Sequence, residues 1–277
     1  MPAFRIGPVT FAVTGASGCD DLVATAQRCH EAFLTSDTPD LTVRLSRSKR
    51  SLDGPRLPLA ERDGHGAYAL RYLGWRGVYA PADGVAQVEL GAGAPAALDH
   101  KRAESFVRAV IGIAVERAGG LSLHAAGLVT EGHAHVFYGP SGAGKTTIAR
   151  TFASDALLSD DHVILAPAAS GRWTAYATPY GGREGTPCHA TSAPLATLAW
   201  LIQHPRLSTA PMRRTTAVGA LLGQVIHVST APEDSATVLD RLAELARRVR
   251  CVELRFNRQD SIWTALRPTR PLEAAHA

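Results

Sequence analysis

The rhythm of apolar and polar positions changes near residue 95. Before that point the chain carries short apolar runs separated by turn residues. Residues 4–13 predict a first strand, residues 21–34 a helix and residues 41–45 a second strand. Three more short strands are predicted at 68–72, 77–80 and 85–90. Gly91, Gly93 and Pro95, with alanines between and after them, form the best linker candidate. Beyond it the period lengthens. Phe106, Val107, Val110, Ile111, Ile113 and Ala114 recur at helical spacing over residues 98–118, and Gly119 and Gly120 supply the stop. Strands at 122–129 and 133–138, joined by a turn at Glu131 and Gly132, lead into a helix at 146–153. Strands at 157–165, 173–177 and 195–202, helices at 215–225 and 233–248 and a strand at 251–256 complete the pattern. This predicts a small α+β unit over residues 1–95 and an α/β domain with a mixed sheet over residues 96–277.

Composition narrows the classes. The chain has 277 residues, 45% hydrophobic and 19% charged, which is a globular balance. No apolar run reaches the roughly 18 residues of a membrane span. The start of the chain, broken by Pro8, reads as a strand and not as a signal peptide. Cys19, Cys29, Cys188 and Cys251 show neither CxxC nor metal spacing, so a cytoplasmic protein with reduced thiols is expected. The net charge of +4 is mild. Its clusters, Arg44 to Arg50 and Arg247, Arg248 and Arg250, have no interleaved aromatic residues to stack bases. They read as a solvated loop and a helix end, with neither nucleic acid nor membrane as partner. Of 29 basic residues only Lys49, Lys101 and Lys145 are lysines, so a lysine inside a motif is informative.

Lys145 is such a lysine. Gly139, Pro140, Ser141, Gly142, Ala143, Gly144, Lys145 and Thr146 match G-x-x-x-x-G-K-[ST] with no mismatch, between a predicted strand and a predicted helix that continues through Thr147. From the chain's own frequencies of Gly, Lys and Ser/Thr, a chance match anywhere is roughly 0.003. The glycines let backbone N–H groups turn toward phosphate oxygens, and the helix start adds its positive end. Lys145 supplies charge to the β- and γ-phosphates, and the Thr146 hydroxyl can ligate Mg²⁺. ATP and Mg²⁺ are therefore the expected ligands.

Asp160 and Asp161 follow 15 residues after Lys145, inside the apolar run 157–165. On one strand, adjacent side chains point to opposite faces, so only one carboxylate faces the phosphates unless the strand bulges. One can hold Mg²⁺ while the other accepts a proton from a hydroxyl. The alternative is a pair that caps a strand-end turn. His124 stands at the head of the strand pair that feeds the loop, where a lone histidine among apolar residues is more often a core residue.

The order of His124 with Ala125, Ala126 and Gly127, then the Gly139–Thr146 loop, then Asp160 and Asp161, resembles the catalytic domain of HPr kinase/phosphorylase. It is closest to the looser HPr-kinase-related group that includes lasso-peptide-type precursor peptide kinases. The resemblance covers residues 120–225, under half of the chain. It implies a P-loop kinase core of the HPr kinase/phosphoenolpyruvate carboxykinase type, with the small α+β unit in front. It also implies in-line transfer of the γ-phosphoryl group of ATP to a serine of a peptide or protein. Lys145 and the loop backbone would then hold phosphates, Asp160 or Asp161 would be the base, and His124 would lie near the phosphates. Thr146, Asp161 and Glu184 would serve the metal. Residues 180–186, with Arg183 and Glu184, fall where that family has a signature loop, but their order departs from it, and phosphorolysis loses its support. A glycine-rich lid is the other reading of this loop.

Rival classes remain. A small-molecule hydroxyl kinase fits the same motifs. A P-loop ATPase or switch module would need an apolar strand ending in an acid, and the stretch near residue 226 lacks the acid. Carboxykinase chemistry needs a Lys/His/Asp metal set that three lysines do not provide. Intact Lys145, Thr146 and the Asp pair argue against a pseudo-kinase. Residues 1–90 are expected to recognise peptide through free sheet edges, and a homo-oligomer is left open.

Overall fold

The computed structural model describes residues 1–151, 156–181, 189–257 and 261–266. The first predicted strand is a hairpin. Gly7 takes a left-handed φ of +58° beside Pro8, so the chain reverses between β1 (Ala3–Ile6) and β2 (Val9–Gly15) and pairs Phe4 with Phe11. The helix expected over 21–34 is α1 (Asp20–Cys29). It stops at His30, and a 3₁₀ turn leads to the two-residue edge strand β3 (Leu34–Thr35). Next come β4 (Leu41–Arg47), β5 (Leu59–Arg62), β6 (Tyr68–Tyr72), β7 (Trp75–Ala80) and β8 (Val85–Leu90). The first sheet has the order β3-β1-β2-β4-β8-β7-β6-β5, with β4 parallel to β2 and β8.

The helix α2 (Ala96–Arg117) packs on this sheet and reaches the second. Its Phe106 is fully buried and meets the edge of Trp75 at 5.2 Å and 81°. Truncating such a ring costs about 3–5 kcal/mol. One apolar cluster contains Phe4, Trp75, Phe106, Leu123 and Leu165, and so draws on both sheets.

The second half contains β9 (Leu121–Thr130), β10 (His133–Tyr138), α3 (Lys145–Thr151), β11 (Ala156–Ser159), β12 (His162–Pro167) and β13 (Trp173–Tyr176). It continues with β14 (Ser192–Gln203), β15 (Ser208–Pro211), α4 (Arg214–Leu222), α5 (Pro232–Arg248), β16 (Arg250–Phe256) and α6 (Trp263–Leu266). Pairing follows β10-β9-β12-β13-β14-β16-β15, and β14 also pairs with β10, which closes a ring of five strands. β10, β14 and β16 run parallel, so their C-terminal ends meet on one rim. β10 is buried at residues 134–138, as expected of a parallel strand covered on both faces. Pro232 opens α5, acids stand in its first turn and Arg247 and Arg248 in its last, matching the helix dipole. Val238, Leu242, Leu245 and Ala246 form its buried stripe.

The strand expected over 157–165 is not continuous. A register shift on β9 separates Leu157 from Ser159, and Asp160 and Asp161 occupy a bend between β11 and β12. The Ser159 hydroxyl accepts the N–H groups of Asp161 at 3.2 Å and His162 at 3.0 Å, which stabilises that bend. Strict alternation of the two carboxylates therefore fails. None of the described helices is long and apolar enough to cross a membrane.

Candidate active site

The loop after β10 is built by its glycines. Gly142 and Gly144 have φ of +81° and +110°, which only glycine adopts without strain. A Cβ on Gly144 would stand 2.8 Å from Phe256 Cζ, so the loop can approach the end of β16 only without a side chain there. Ala143 N–H donates to the Pro140 carbonyl at 3.1 Å, and Gln203, at the end of β14, donates to the Gly142 carbonyl at 2.7 Å. Lys145 is 7% exposed, and its Nζ donates to the Gly139 carbonyl at 2.7 Å and the Pro140 carbonyl at 3.3 Å. Burial pushes its ammonium below the ordinary lysine value, and the charge of Asp161 works against that shift.

This loop forms one wall of a cavity of about 750 Å³. Ser141, Gly142, Gly144, Lys145, Thr146 and Thr147 line it together with His124, Asp160 and Asp161. The bend between β11 and β12 thus brings both carboxylates to the cavity that the glycine-rich loop lines. Gly139 and Pro140 support the loop from behind, and Ala143 is buried in the apolar cluster with Phe137 and Ile148. Glu184 and Arg183 lie outside the described residues. Thr146 and the two aspartates are oxygen donors of the kind Mg²⁺ takes alongside phosphate.

Asp161 is held at both of its carboxylate oxygens. His124 Nδ1 lies 3.0 Å from one oxygen and Arg108 Nη2 3.6 Å from the other. Burial pushes its pKa up, but the His124 hydrogen bond and the charges of His124 and Arg108 outweigh this and hold the carboxyl below its ordinary value. His124 is held in turn through its backbone N–H, which donates to the Gln224 carbonyl at 2.8 Å. Asp160 is 5% exposed. His162 is fully buried and stacks on Tyr180 at 5.3 Å and 22°, and burial drives its pKa well below the ordinary value, so it is neutral.

The sequence reading missed the opposite wall, formed by Gln203, His204, Pro205, Phe256 and Asn257. The signal was the rim rule: once β14 and β16 are known to run parallel to β10, their C-terminal ends must border the loop. Arg108, which faces Asp161 and lies over the Tyr180 ring, had no local signal, whereas Tyr180 opens the 180–186 stretch already singled out for another reason.

The fold is a mixed α/β protein with two mixed sheets and a glycine-rich loop at the rim of the second. No protein-family model and no curated protein matches the chain. Among solved structures, it is similar to the Hpr(Ser) kinase/phosphatase from Coxiella burnetii, at 12% identity over 52% of this chain and 91% of that one, with a TM-score of 0.29. At that score the likeness carries no argument about residues, and the chemistry rests on the site itself.

Proposed function

We propose that the protein is an ATP-dependent kinase that transfers the γ-phosphoryl group to an alcohol, a serine of a peptide or protein. The observation that carries this reading is a single cavity lined by the Gly-rich loop, Lys145, both aspartates and His124. Its volume of about 750 Å³ lies within the ordinary range for small-molecule sites.

In this reading Lys145 and the loop N–H groups bind the phosphates of ATP and neutralise charge on the leaving diphosphate. Thr146 and Asp160 would hold Mg²⁺, which when bound neutralises phosphate charge. Asp161 is poorly suited to that task, because Arg108 would repel a cation placed beside it. It serves instead as the base. The acceptor oxygen forms the new O–P bond, the bond from γ-phosphorus to the bridging oxygen breaks, ADP leaves, and the hydroxyl proton passes to Asp161. His124 keeps the carboxylate aimed.

The test is incubation with ATP, Mg²⁺ and serine-containing peptides encoded beside the protein's own gene, with mass spectrometry of the products. A phosphate added to a peptide supports the reading. Transfer only to small alcohols would limit it to metabolite phosphorylation, and ATP hydrolysis with every acceptor refused would overturn it in favour of an ATPase.

A further inference from the structure

Arg108 belongs to no motif, yet it stands where three elements meet. It projects from α2, and its Nη2 faces Asp161 Oδ2 at 3.6 Å while Asp161 Oδ1 faces His124 Nδ1 at 3.0 Å. Each carboxylate oxygen has its own partner on a different element, so the group cannot rotate without losing one of them. The guanidinium also lies over the Tyr180 ring, with Cζ 5.6 Å from the centroid. Tyr180 is 2% exposed, and its hydroxyl lies 3.1 Å from His30 Nε2. His30 Nδ1 lies 2.7 Å from the Ala26 carbonyl oxygen. A carbonyl only accepts, so Nδ1 carries the proton and Nε2 accepts from the tyrosine hydroxyl. Burial lowers the His30 pKa to about 4, which keeps the ring neutral. The His30 ring packs on Phe4 at 5.7 Å and on Phe11 at 5.1 Å, inside the core of the first sheet.

We infer that Arg108 is a positioning residue for the Asp161–His124 pair, and that a buried Tyr180–His30 hydrogen bond, anchored in the first sheet, holds Arg108 in place. The kinetic consequence rests on the kinase reading above; the geometry does not. The role favours arginine, because a flat guanidinium can lie over the ring while its edge N–H groups face the carboxylate, whereas an ammonium keeps the charge but not that fork. The chain of contacts runs from the Ala26 carbonyl through His30, Tyr180 and Arg108 to Asp161. It gives the first thirty residues a direct hold on the candidate base.

The test compares Arg108→Met, Arg108→Lys, Tyr180→Phe, His30→Ala and His30→Gln in the full chain. Arg108→Met should lower kcat for phosphoryl transfer roughly 10–100-fold with KM for ATP within about twofold, and Arg108→Lys should recover part of the loss. His30→Ala and Tyr180→Phe should lower kcat in the same sense. His30→Gln should stay near the parent, since its amide offers one donor for Ala26 and one acceptor for Tyr180. His30→Ala should add little on top of Arg108→Met. A kcat indifferent to Arg108→Met, or fully additive losses in the double variant, would overturn the inference.

A second readout needs no substrate. Nitrogen NMR of labelled histidine in alkaline buffer should show the Nδ1–H tautomer of His124 in the parent, with that bias reduced in Arg108→Met and His30→Ala. A response in the tautomer without any phosphoryl transfer by the parent would sink the kinase reading and leave the positioning chain supported. Transfer that proceeds while neither kcat nor the tautomer responds would do the reverse.

Discussion

Two histidine–carboxylate pairs in this molecule have nearly the same geometry and opposite surroundings. His124 Nδ1 lies 3.0 Å from Asp161, and His227 Nδ1 lies 2.9 Å from Glu116. The first pair lines the cavity beside Lys145. The second is more enclosed, with side-chain exposures of 17% and 10% against 43% and 25%. It sits where the segment after α4 meets the end of α2, and Ser235 Oγ on α5 lies 3.4 Å from His227 Nε2. The same segment bonds to β5 through Ala60 N–H and the Val228 carbonyl, and Ile226 N–H donates to the Ser122 carbonyl on β9. One pair therefore faces the cavity and the other joins elements. The ionisable groups do not decide this; what faces their remaining side does.

That contrast can be broken in order of expected effect. Lys145→Ala should abolish nucleotide turnover, a loss of about 10³-fold or more, because no other described side chain brings a lysine charge to the loop. Asp161→Asn should lower phosphoryl transfer by about 10²–10⁴-fold with ATP binding largely kept, read by single-turnover kinetics and calorimetry. Glu116→Gln should leave that rate unchanged and lower the melting temperature instead. Equal kinetic losses in the two variants would erase the distinction.

Gly144→Ala should come next. The new Cβ would crowd Phe256 Cζ at 2.8 Å and sit on a φ of +110°, so about 1–3 kcal/mol of strain is expected, with weaker nucleotide binding in titration calorimetry. Gly142→Ala strains only the backbone, at φ +81° with open space around its Cβ, and should cost less.

The smallest effect is in the pH dependence of unfolding. The Glu116 hydrogen bond raises the His227 pKa above its ordinary 6.5, so the stability His227 contributes is full below that value and is lost as pH rises through the folded value. Burial raises Glu116 from its ordinary 4.5, which works in the same direction, since the folded state favours the neutral acid. Asp161 is lowered from its ordinary 3.8, so its contribution is present above that value and is lost as pH falls through the folded one. Parent melting temperatures should thus fall as pH rises above the ordinary histidine value of 6.5, and His227→Gln should flatten that slope. An unchanged slope would remove His227 from the account.

Much of the glycine-rich loop was legible because it is local. Its glycines, Lys145 and Thr146 all fall within residues 139–146, and the left-handed φ of Gly142 and Gly144 is a requirement at each position by itself. The Asp pair was legible as a pair, but its placement was not, because the bend depends on Ser159 and on a register shift against β9. The hairpin at Gly7 was hidden inside an apolar run that looked continuous. Edge strands as short as β3 and β5 leave too few alternations to register as a pattern.

Local sequence alone determined the loop, the main helices and the strands that flank them, since period, glycine placement and charge act within a few residues. Tertiary structure alone decided what holds Asp161. Arg108 is 53 residues before Asp161, and His30 is 150 residues before Tyr180. Contacts at such separations come from the way α2 and the first sheet pack on β9 and β12, and no local period encodes them. The opposite cavity wall was decided the same way, by the parallel alignment of β14 and β16 with β10.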